Sequence, residues 1–566
     1  MSQKLLECVP NFSEGRDEKI IEQIVNEVKK ISEVNLLNVD PGKATNRTVV
    51  TFVGEPDKVI EAAFQLIKKA AELIDMTIHS GEHPRMGATD VCPLIPITGI
   101  NMEETIQYSK KLAKKVGEEL KIPVYLYEHS SDQTYRKNLA DVRKGEYEGL
   151  SQKLKSQKWR PDFGPVNFDL IKKTGATAIG ARDFLIAYNI NLNTTSTRRA
   201  NAIAFDIREK GRIAREDGKL TGKILKNENG DTIWIPGSLK HVKAIGWFIE
   251  EYGITQISMN LTNIEKTPIH IVFDEVCKKA DVRGVRVTGS ELVGLIPLKS
   301  MLDAGEHFLK KQKRSIGISE NEIVEIAIKT MGLNEIEKFD PYEKIIEYKI
   351  RKKQKSLCQL SLKDFLQETA SESPAPGGGS ISAYIGALGG ALTTMVANLS
   401  SHKRGWDEQW EYFSNLAKSG QEYIIELEKL VDKDTDAFNG IIEAFRLKAE
   451  TKEEKKEKDI TIKNATLNAI LVPLDIMEIS LKLMQLIEEL TEKGNPNSVS
   501  DVGVAALCAR SAVLGGYLNV MINIEDYSDE IQKKELIKKA EKLKNKAIKQ
   551  ENIIFQKTLK IIKQSS

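Results

Sequence analysis

Over its first 130 residues the chain alternates between two hydrophobic patterns. Some runs place apolar residues at every second position, which is typical of a half-buried strand, and others place them every three or four positions, which is typical of an amphipathic helix. In chain order the patterns predict a strand over 4–12, a helix over 17–30, strands over 34–40 and 47–54, a helix over 57–73, a strand over 90–97, a helix over 102–120 and a strand over 123–128.

A similar series begins again at about Thr177. It predicts strand residues over 178–192, a helix over 197–210, strands over 243–251 and 254–262, a helix over 270–280, a strand over 285–294 and a helix over 298–311. The split βαβ order of both series predicts two tandem ferredoxin-like α/β units, with a cleft where they join. Residues 219–240 contain an Asn229-Gly230 turn between short strand-like pieces, which predicts an inserted hairpin.

Beyond Glu347 the pattern changes. The basic stretch 348–356 has little to bury and is typical of a linker. The residues after it show helical spacing without alternation, which predicts a bundle of roughly four to six helices. We therefore predict an α+β and all-α multidomain chain, with a first α/β subdomain over 1–178, a second over 179–345, a linker over 346–357 and an all-α helical bundle over 358–566.

Residues 373–401 carry no charged side chain and are long enough to span a bilayer. Proline and glycine fill the first third of this stretch, and polar or small residues dilute the rest, so we predict a buried bundle helix over 381–400 rather than a membrane span. Gly386 and Gly390 would let another helix approach it closely. The segment 501–524 has the same small-residue character and is predicted to be another bundle helix.

Composition narrows the function classes. The 566 residues are 41% hydrophobic, and 83 basic side chains nearly balance 81 acidic ones, for a net charge of +2. No global field therefore favours nucleic acid or an anionic membrane as a partner. Five cysteines without CxxC spacing argue against a zinc site or a disulfide framework. The first residues reach Glu7 before an apolar run of signal-peptide length develops, so a cytoplasmic protein is expected.

Chemistry-bearing residues concentrate in the segment HSGEHPRMGATDVCP, residues 79–93. Two glycines and a proline interrupt both hydrophobic periods there, so a shaped loop is predicted. The loop places His83 between the carboxylates of Glu82 and Asp90 and close to the guanidinium of Arg85. Such groups can move a proton and hold an anionic substrate. The same residues also fit a solvated surface loop.

Six segments in order resemble one family. ECVPNFSEGR (7–16), NVDPGKATNRTVVTFVG (38–54), the loop around His83 and WRPDFGP (159–165) resemble the transferase half of the formiminotransferase-cyclodeaminase family. SPAPGGGSISA (373–383) and LVDKDTDAF (430–438) resemble its cyclodeaminase half. The likeness spans nearly the whole chain. It implies a bifunctional folate enzyme of histidine degradation, with tetrahydrofolate as co-substrate.

In the transferase reaction that the resemblance implies, a formimidoyl group moves between the amino nitrogen of glutamate and N5 of tetrahydrofolate. His83 matches the family's catalytic histidine and would act as general acid and base. Asp40 is a candidate to orient the imidazole, or a turn-capping residue. We expect no metal, because the glycine and proline around His83 prevent the helix that would align it with His79, and no third ligand is suitably spaced.

The resemblance also implies a folate-binding segment. It corresponds to Asp162, Phe163, Gly164, Pro165, Val166, Asn167, Phe168, Asp169, Leu170 and Ile171. Phe163 could cover the pterin ring and Gly164 could allow a close backbone approach. Arg47, Arg85 and Arg182 are candidates for binding the carboxylates of glutamate or of the folate tail, although a surface arginine is the commoner case.

For the cyclodeaminase half, the resemblance places the family's catalytic aspartate at Asp432. On a helical wheel, however, Asp434 aligns with the apolar stripe of Leu427 and Val431, so burial should raise its pKa and it is the alternative proton carrier. The glycines that precede the next helix could cradle a carboxylate or a pterin edge, or could be only a flexible entry; they are Gly377, Gly378 and Gly379. Lys458 is a weaker candidate for the folate tail.

Three alternatives remain open. A formyl group differs from a formimidoyl group only by O against NH, so the first half could be a glutamate formyltransferase. The second half could be a methenyltetrahydrofolate cyclohydrolase. A folate-binding scaffold without catalysis is a third possibility, against which the presence of His83 and Asp432 argues. In each case we expect small-molecule substrates and a symmetric homo-oligomer, at least a dimer, formed through the small-residue helices.

Overall fold

A computed structural model describes residues 4–43, 45–81, 84–218, 221–351, 356–373 and 375–565. His83 and Glu82, to which the sequence assigns catalytic chemistry, lie outside these ranges, as do residues 219, 220 and 352–355. The chain forms two compact units. The first comprises residues 1–300 and 331–352, and the second comprises residues 301–330 and 353–566.

The first unit contains a seven-stranded sheet. Its strands are β1 (Leu5–Cys8), β2 (Asn11–Phe12), β3 (Val34–Gly42), β4 (Arg47–Gly54), β5 (Thr89–Thr98), β6 (Val124–Leu126) and β7 (Thr177–Ala181). β1 and β2 both lie between β4 and β5, as the two parts of one interrupted strand, and β3 pairs with the far side of β4. These pairs are antiparallel, whereas β7 is parallel to β5 and β6.

Three amphipathic helices cover one face of this sheet: α1 (Glu18–Lys29), α2 (Pro56–Leu73) and α3 (Met102–Glu119). Their apolar faces form one core with the inward side chains of the strands, among them Ile24, Ile67 and Phe52. The Asp17 side chain caps α1, and a capping box of Asn101 and Glu104 starts α3. Three short helices follow β6: α4 (Leu139–Arg143), α5 (Leu150–Lys155) and α6 (Phe168–Ile171).

The same unit contains a four-stranded antiparallel sheet in the order β11-β12-β8-β13. The strands are β8 (Ile186–Leu192), β11 (Val242–Ile249), β12 (Ile254–Leu261) and β13 (Val287–Val293), and α7 (Thr197–Ile207) and α8 (Ile269–Asp281) connect them. In the predicted insertion 219–240, Gly230 has the positive φ of the turn, and β10 (Trp234–Ile235) pairs with β9 (Arg212–Ile213), which lies before the predicted start. The next helices along the chain, α9 (Leu298–Lys311) and α10 (Glu320–Met331), lie almost entirely in the second unit, whereas α11 (Pro341–Lys344) and α12 (Ile346–Arg351) belong to the first.

The second unit is helical apart from its turns, within the residues described. After α13 (Leu362–Thr369) come five long helices: α14 (Gly378–Ser401), α15 (Trp410–Arg446), α16 (Lys452–Lys493), α17 (Val499–Asn523) and α18 (Glu530–Ser565). Residues 301–330 pack with them: Ile316 N–H donates to Ser414 Oγ at 3.0 Å, and Asn398 Nδ2 donates to the Gly317 carbonyl at 2.7 Å.

Two segments, Gly378–Ser401 and Pro496–Asn523, pass a length and composition test for membrane spans. The apolar window of the first is 61% buried inside the protein and that of the second 39%. The first helix therefore has the character of a core helix, whereas the second presents more of its apolar surface outward.

The structure differs from two sequence-based predictions. The strand residues over 178–192 do not all begin the second series, because β7 extends the first sheet and only β8 belongs to the second. The predicted linker over 346–357 begins with a helix, α12, in which Ile346 is fully buried. In both places the partner that fixes the segment is distant in sequence, so local pattern could not identify it.

Candidate active sites

The described flanks of the His83 loop are held by backbone and side-chain contacts on both sides. Asn46 Nδ2 donates to the Ser80 carbonyl at 2.9 Å, and the Asn46 carbonyl lies 3.0 Å from His79 Nε2. On the other side, the Met86 carbonyl accepts from Ala176 N–H at 3.0 Å. A Cβ on Gly87 would lie 2.4 Å from the Ala176 carbonyl oxygen, so only glycine allows this approach.

Arg85 is engaged with two carboxylates. Its guanidinium binds Glu148 through two hydrogen bonds of 3.0 and 2.7 Å and Glu146 through one of 3.1 Å, and its side chain is 9% exposed. The hydrogen bonds to Glu148 raise the pKa of Arg85. These residues line a cavity of about 440 Å³ together with Ser80, Gly81 and Gly145. The predicted role of Arg85 toward a substrate carboxylate stays a prediction, and it would require an exchange of partners.

His79 is the described histidine of this loop. Burial lowers its pKa, and the nearby charge of Arg85 adds to that effect. Arg85 Nε donates to His79 Nδ1 at 3.3 Å, so the neutral tautomer with the proton on Nε2 satisfies both ring nitrogens. This arrangement uses His79 to orient Arg85.

Asp90 links the described flank of the loop to Arg143. It is fully buried, its Oδ1 accepts from Met86 N–H at 2.9 Å, and its Oδ2 accepts from Arg143. Arg47 lies within electrostatic range of this pair, since burial and the charge of Arg143 lower the pKa of Arg47 while Asp90 raises it. Asp40 is exposed and lies in register with Val49. Its contact with His83 remains a prediction, because His83 lies outside the described residues.

The predicted folate segment is fixed to β6 and α3. Asp162 accepts from Leu126 N–H at 2.8 Å and from Arg136 at 2.6 Å. Phe163 packs so closely on α3 that a Cβ on Gly117 would lie 2.4 Å from its own Cβ, and Gly164 has a φ of +86°. Phe163 is partly buried against the core of the first sheet, and its predicted contact with a pterin ring stays a prediction. The exposed apolar side chains of the segment are Val166 and Leu170, at 45% and 73%.

Arg182 lies at the end of β7, where its backbone N–H donates to the Leu94 carbonyl at 3.0 Å. Burial and the charge of Glu347 raise the pKa of Glu7 to about 7, and the positive charge of Arg182 partly offsets this rise. Arg182 thus interacts with an acidic group inside the protein, and its predicted contact with a substrate carboxylate stays a prediction.

In the helical unit, Asp434 reaches the glycine-rich start of α14. Its Oδ2 accepts from Ser380 N–H at 2.8 Å, and the Ser380 hydroxyl lies 3.1 Å from the same oxygen. A Cβ on Gly379 would lie 2.1 Å from Asp434 Oδ1, so a glycine there makes room for the carboxylate. Burial raises the pKa of Asp434 and the Ser380 hydrogen bonds only partly offset it, in the direction that the wheel predicts.

Asp432 faces a different segment. It accepts from Ser356 Oγ at 2.6 Å and from Leu357 N–H at 2.8 Å. Of the other cyclodeaminase candidates, the glycines lie at the start of α14 and Lys458 lies elsewhere. Gly377 is the N-cap residue of α14 and Gly378 its first residue, beside Asn519, whereas Lys458 Nζ donates to the Phe445 and Leu447 carbonyls at the end of α15. Lys458 is therefore engaged in closing a helix end.

Sequence reasoning missed Ser380 and Arg143. Ser380 directly follows the three glycines at a helix start. A serine at such a position can bond a nearby acidic side chain, and this could have been predicted. Arg143 gave no such signal, because its partner Asp90 is 53 residues away. Among the described residues, no group of three histidine, cysteine or acidic side chains could hold a metal ion.

Comparisons with known proteins cover both units. Residues 5–182 match the model of the formiminotransferase domain, N-terminal subdomain, residues 187–351 that of the formiminotransferase domain, and residues 361–542 that of formiminotransferase-cyclodeaminase. The mouse formimidoyltransferase-cyclodeaminase is 41% identical over 535 residues, which are 94% of each chain.

Two shorter relatives match parts of the chain. A glutamate formimidoyltransferase of Streptococcus pyogenes serotype M1 is 42% identical over 54% of this chain and 94% of its own length. A methenyltetrahydrofolate cyclohydrolase of Methylorubrum extorquens is 33% identical over 32% of this chain and 88% of its own. From the full-length relative and the three matching models, the chain belongs to the formimidoyltransferase-cyclodeaminase family.

Proposed function

We propose that this chain transfers the formimidoyl group of N-formimidoyl-L-glutamate to N5 of tetrahydrofolate and then cyclises the product to 5,10-methenyltetrahydrofolate with release of ammonia. One observation carries the proposal: a relative with both activities in its name aligns over 94% of each chain at 41% identity. A relative named for the transfer alone aligns over 54% of the chain, nearly its own full length.

In the transfer, N5 forms a bond to the formimidoyl carbon, the bond from that carbon to the glutamate nitrogen breaks, and a proton passes from N5 to the glutamate nitrogen. We assign the transfer of that proton to His83, and we assign the orientation of the His83 imidazole to Asp40. The described flanks support the assignment, since Asp90, Ala176 and Asn46 hold the loop on both sides. Fixed flanks limit the motion that would misplace a general acid and base.

In the cyclisation, N10 bonds to the formimidoyl carbon, the carbon–nitrogen bond to the leaving amino group breaks, and the N10 proton returns on ammonia. A single carboxylate can carry that proton. The environment of Asp434 favours it as the carrier, because its raised pKa lets it gain and lose a proton closer to neutral pH. Asp432, which the family resemblance favours, would then position the segment around Ser356.

The architecture of the first unit supports its interpretation as two ferredoxin-like subdomains. β8, α7, β11, β12, α8 and β13 follow the strand–helix–strand–strand–helix–strand order, with the last strand beside the first. β1/β2, α1, β3, β4, α2 and β5 follow the same order, and β6 and β7 extend that sheet. Because β7 completes the first sheet, we propose the first subdomain boundary between β7 and β8 rather than at residue 178, a second boundary near residue 345, and a cytoplasmic location.

A coupled assay tests the proposal. The full chain is given tetrahydrofolate and N-formimidoyl-L-glutamate, and glutamate, ammonia and the methenyl chromophore are measured. All three products are expected. His83→Ala should lower glutamate release by on the order of a hundredfold while cyclisation of added 5-formimidoyltetrahydrofolate persists. N-formylglutamate is the control substrate: faster turnover of it would contradict the formimidoyl assignment, and no turnover of either would favour a binding scaffold.

A second candidate for the helical unit is a methenyltetrahydrofolate cyclohydrolase. The 33% identity to a relative of that name, over 88% of its length, favours it. The two reactions separate by product, because cyclohydrolase action consumes methenyltetrahydrofolate and water and releases no ammonia. Loss of the methenyl chromophore without ammonia would support this candidate over cyclodeamination.

We also propose a homo-oligomer formed through the helical unit. α14 exposes Leu388 and Leu399 at 45% and 47%, and α17 exposes Leu518 and Ile522 at 67% and 65%. Exposed apolar side chains in a row on neighbouring helices are typical of an interface.

A further inference from the structure

Lys153 is a buried lysine that neither proposed reaction uses. It lies on α5, and 9% of the residue is exposed. Its ammonium donates to the Val142 carbonyl and, at 3.1 Å, to the Lys144 carbonyl. A buried amine is costly unless its hydrogen bonds are satisfied, and here two carbonyls at the end of α4 accept them.

The two carbonyls lie on either side of Arg143. Lys153 therefore fixes the backbone from which the Arg143 side chain reaches Asp90. Asp90 in turn accepts from Met86 N–H at 2.9 Å, in the described flank of the His83 loop. An unbroken series of contacts thus joins the Lys153 ammonium to that flank.

The turn after Arg143 makes a second link to the loop. Gly145 and Glu146 both have positive φ, +92° and +53°, which reverses the chain. The reversal brings Tyr147 N–H within 2.9 Å of the Arg85 carbonyl and places Glu146 and Glu148 on the Arg85 guanidinium. The position of the turn depends on the end of α4, which Lys153 holds.

The same ammonium contacts Trp159, which lies three residues before the predicted folate segment. Lys153 Nζ lies 4.3 Å from the centroid of the Trp159 ring and 5.8 Å from that of Tyr125. A cation over a shielded aromatic face is attracted to it. Arg136 lies over the same two rings and bonds Asp162 at 2.6 Å. Lys153 therefore contacts both the end of α4, which leads to the His83 loop, and Trp159, which precedes the predicted folate segment.

We propose that Lys153 is a positioning residue of the transferase site, whose charged amine fixes α4 and Trp159 together and so holds the described flank of the His83 loop, at Met86, through Arg143 and Asp90. The inference rests on the proposed transferase function. It assigns Lys153 no contact with substrate.

The charge of Lys153 gives this support a pH dependence. Burial lowers the pKa of Lys153 to about 8, and the positive charge of Arg136 adds to the effect. The accepting carbonyls and the aromatic rings interact more strongly with the charged amine than with the neutral one. Among the described residues, Arg143 lies between the two accepting carbonyls and pairs with Asp90, and the ring of Tyr125 lies 5.8 Å from the ammonium. Above this pKa the amine keeps two N–H donors but loses its attraction to the rings.

The test compares Lys153→Met, Lys153→Arg and the exposed neighbour Lys155→Met in the full chain, with transfer and cyclisation measured separately. We expect Lys153→Met to lower transferase kcat at saturating substrates by about tenfold or more, while cyclisation and the Lys155→Met control change by less than about twofold. Wild-type transfer should fall on the alkaline side with a midpoint near pH 8, and Lys153→Arg should lack that fall because a guanidinium stays charged.

Two results would overturn the proposal: a Lys153→Met transferase within about twofold of wild type, or an alkaline fall of unchanged midpoint in Lys153→Arg. If Lys153→Met does not fold, the pH comparison of wild type with Lys153→Arg still decides. An inactive wild-type transferase would instead refute the proposed function.

Discussion

Asp432 and Asp434 are close in sequence, but their environments differ. Asp434 accepts a hydrogen bond from Ser380 inside the bundle, and burial raises its pKa. Asp432 instead accepts hydrogen bonds from Ser356 and Leu357. A carboxylate with a raised pKa is better suited to carry a proton near neutral pH. The helical wheel anticipated this difference and the family resemblance did not.

Replacing each aspartate by asparagine separates the two roles. Asp434→Asn should abolish ammonia release, by on the order of a hundredfold or more, because the amide cannot take the N10 proton. Asp432→Asn should lower it less, since the amide oxygen can still accept from Leu357 N–H and the amide NH2 can donate to the Ser356 hydroxyl. Ammonia release from added 5-formimidoyltetrahydrofolate is the measurement, with glutamate release as the internal control. A larger loss in Asp432→Asn would return the catalytic role to that residue.

Glu7 makes a pH-dependent contribution to stability. Burial raises its pKa from 4.5 to about 7, so the folded protein binds this proton more tightly than the unfolded chain. The contribution is complete below pH 4.5 and is lost as pH rises through about 7, a change of roughly 3 kcal/mol. Glu7→Gln should therefore raise the unfolding temperature at pH 8 by a few degrees and change it less at pH 5. The exposed Glu22→Gln is the control, and equal shifts at both pH values would contradict the assignment.

The sequence allowed candidate side chains to be named at both sites, but it did not reveal which residues contact them. Asp434 could be singled out because helical spacing aligns it with Leu427 and Val431, both fully buried. The internal partners of Arg85 could not be predicted, because nothing local reveals that residues 146 and 148 return to it. The contact of Phe163 with Gly117 could not be predicted either, since Gly117 is on another element.

At the scale of elements, the start of α14 is shaped by one glycine. A Cβ on Gly379 would lie 2.1 Å from the Asp434 carboxylate, whereas the nearest atom to a Cβ on Gly378 is 3.3 Å away, at the end of the Asn519 side chain. Gly379→Ala should therefore displace Asp434 and lower ammonia release by about tenfold or more, and Gly378→Ala should have a small effect. Transferase activity and helical circular dichroism are measured beside it. Equal effects of the two alanines would argue against the glycine's role.

Most elements could be predicted from hydrophobic period alone. The strand over 47–54 and the helix over 298–311 match the bounds of β4 and α9. The exceptions have non-local causes: β7 is recruited by parallel pairing, and β1 and β2 are interrupted at Val9 and Pro10. Phe438, which the wheel puts on the apolar stripe of α15, is 44% exposed because that stripe is not covered along its whole length.

For the whole molecule, the two proposed reactions share an intermediate that keeps its anionic glutamate tail. We expect a polyglutamylated folate to release less free 5-formimidoyltetrahydrofolate than the monoglutamate, because a tail held by basic side chains raises the local concentration of the pterin end. A trapping assay on both forms measures the leakage, and light scattering measures the mass, for which at least a dimer is expected. A monomer, or equal leakage from both forms, would contradict this expectation.

The order in which the chain is made adds a constraint on its folding. Residues 301–330 belong to the helical unit, yet Ile316 bonds to Ser414, which is 98 residues further along the chain. At a synthesis rate of about 5–20 residues per second, α9 and α10 leave the ribosome roughly 5–20 s before that partner exists. Leu309, Ile316 and Ile323 pack on one another within this segment, but Gly317 lies against Ala417, which is made 100 residues later. A nascent chain that ends near residue 352 would therefore leave the surface around Ile316 and Gly317 without its partner on α15.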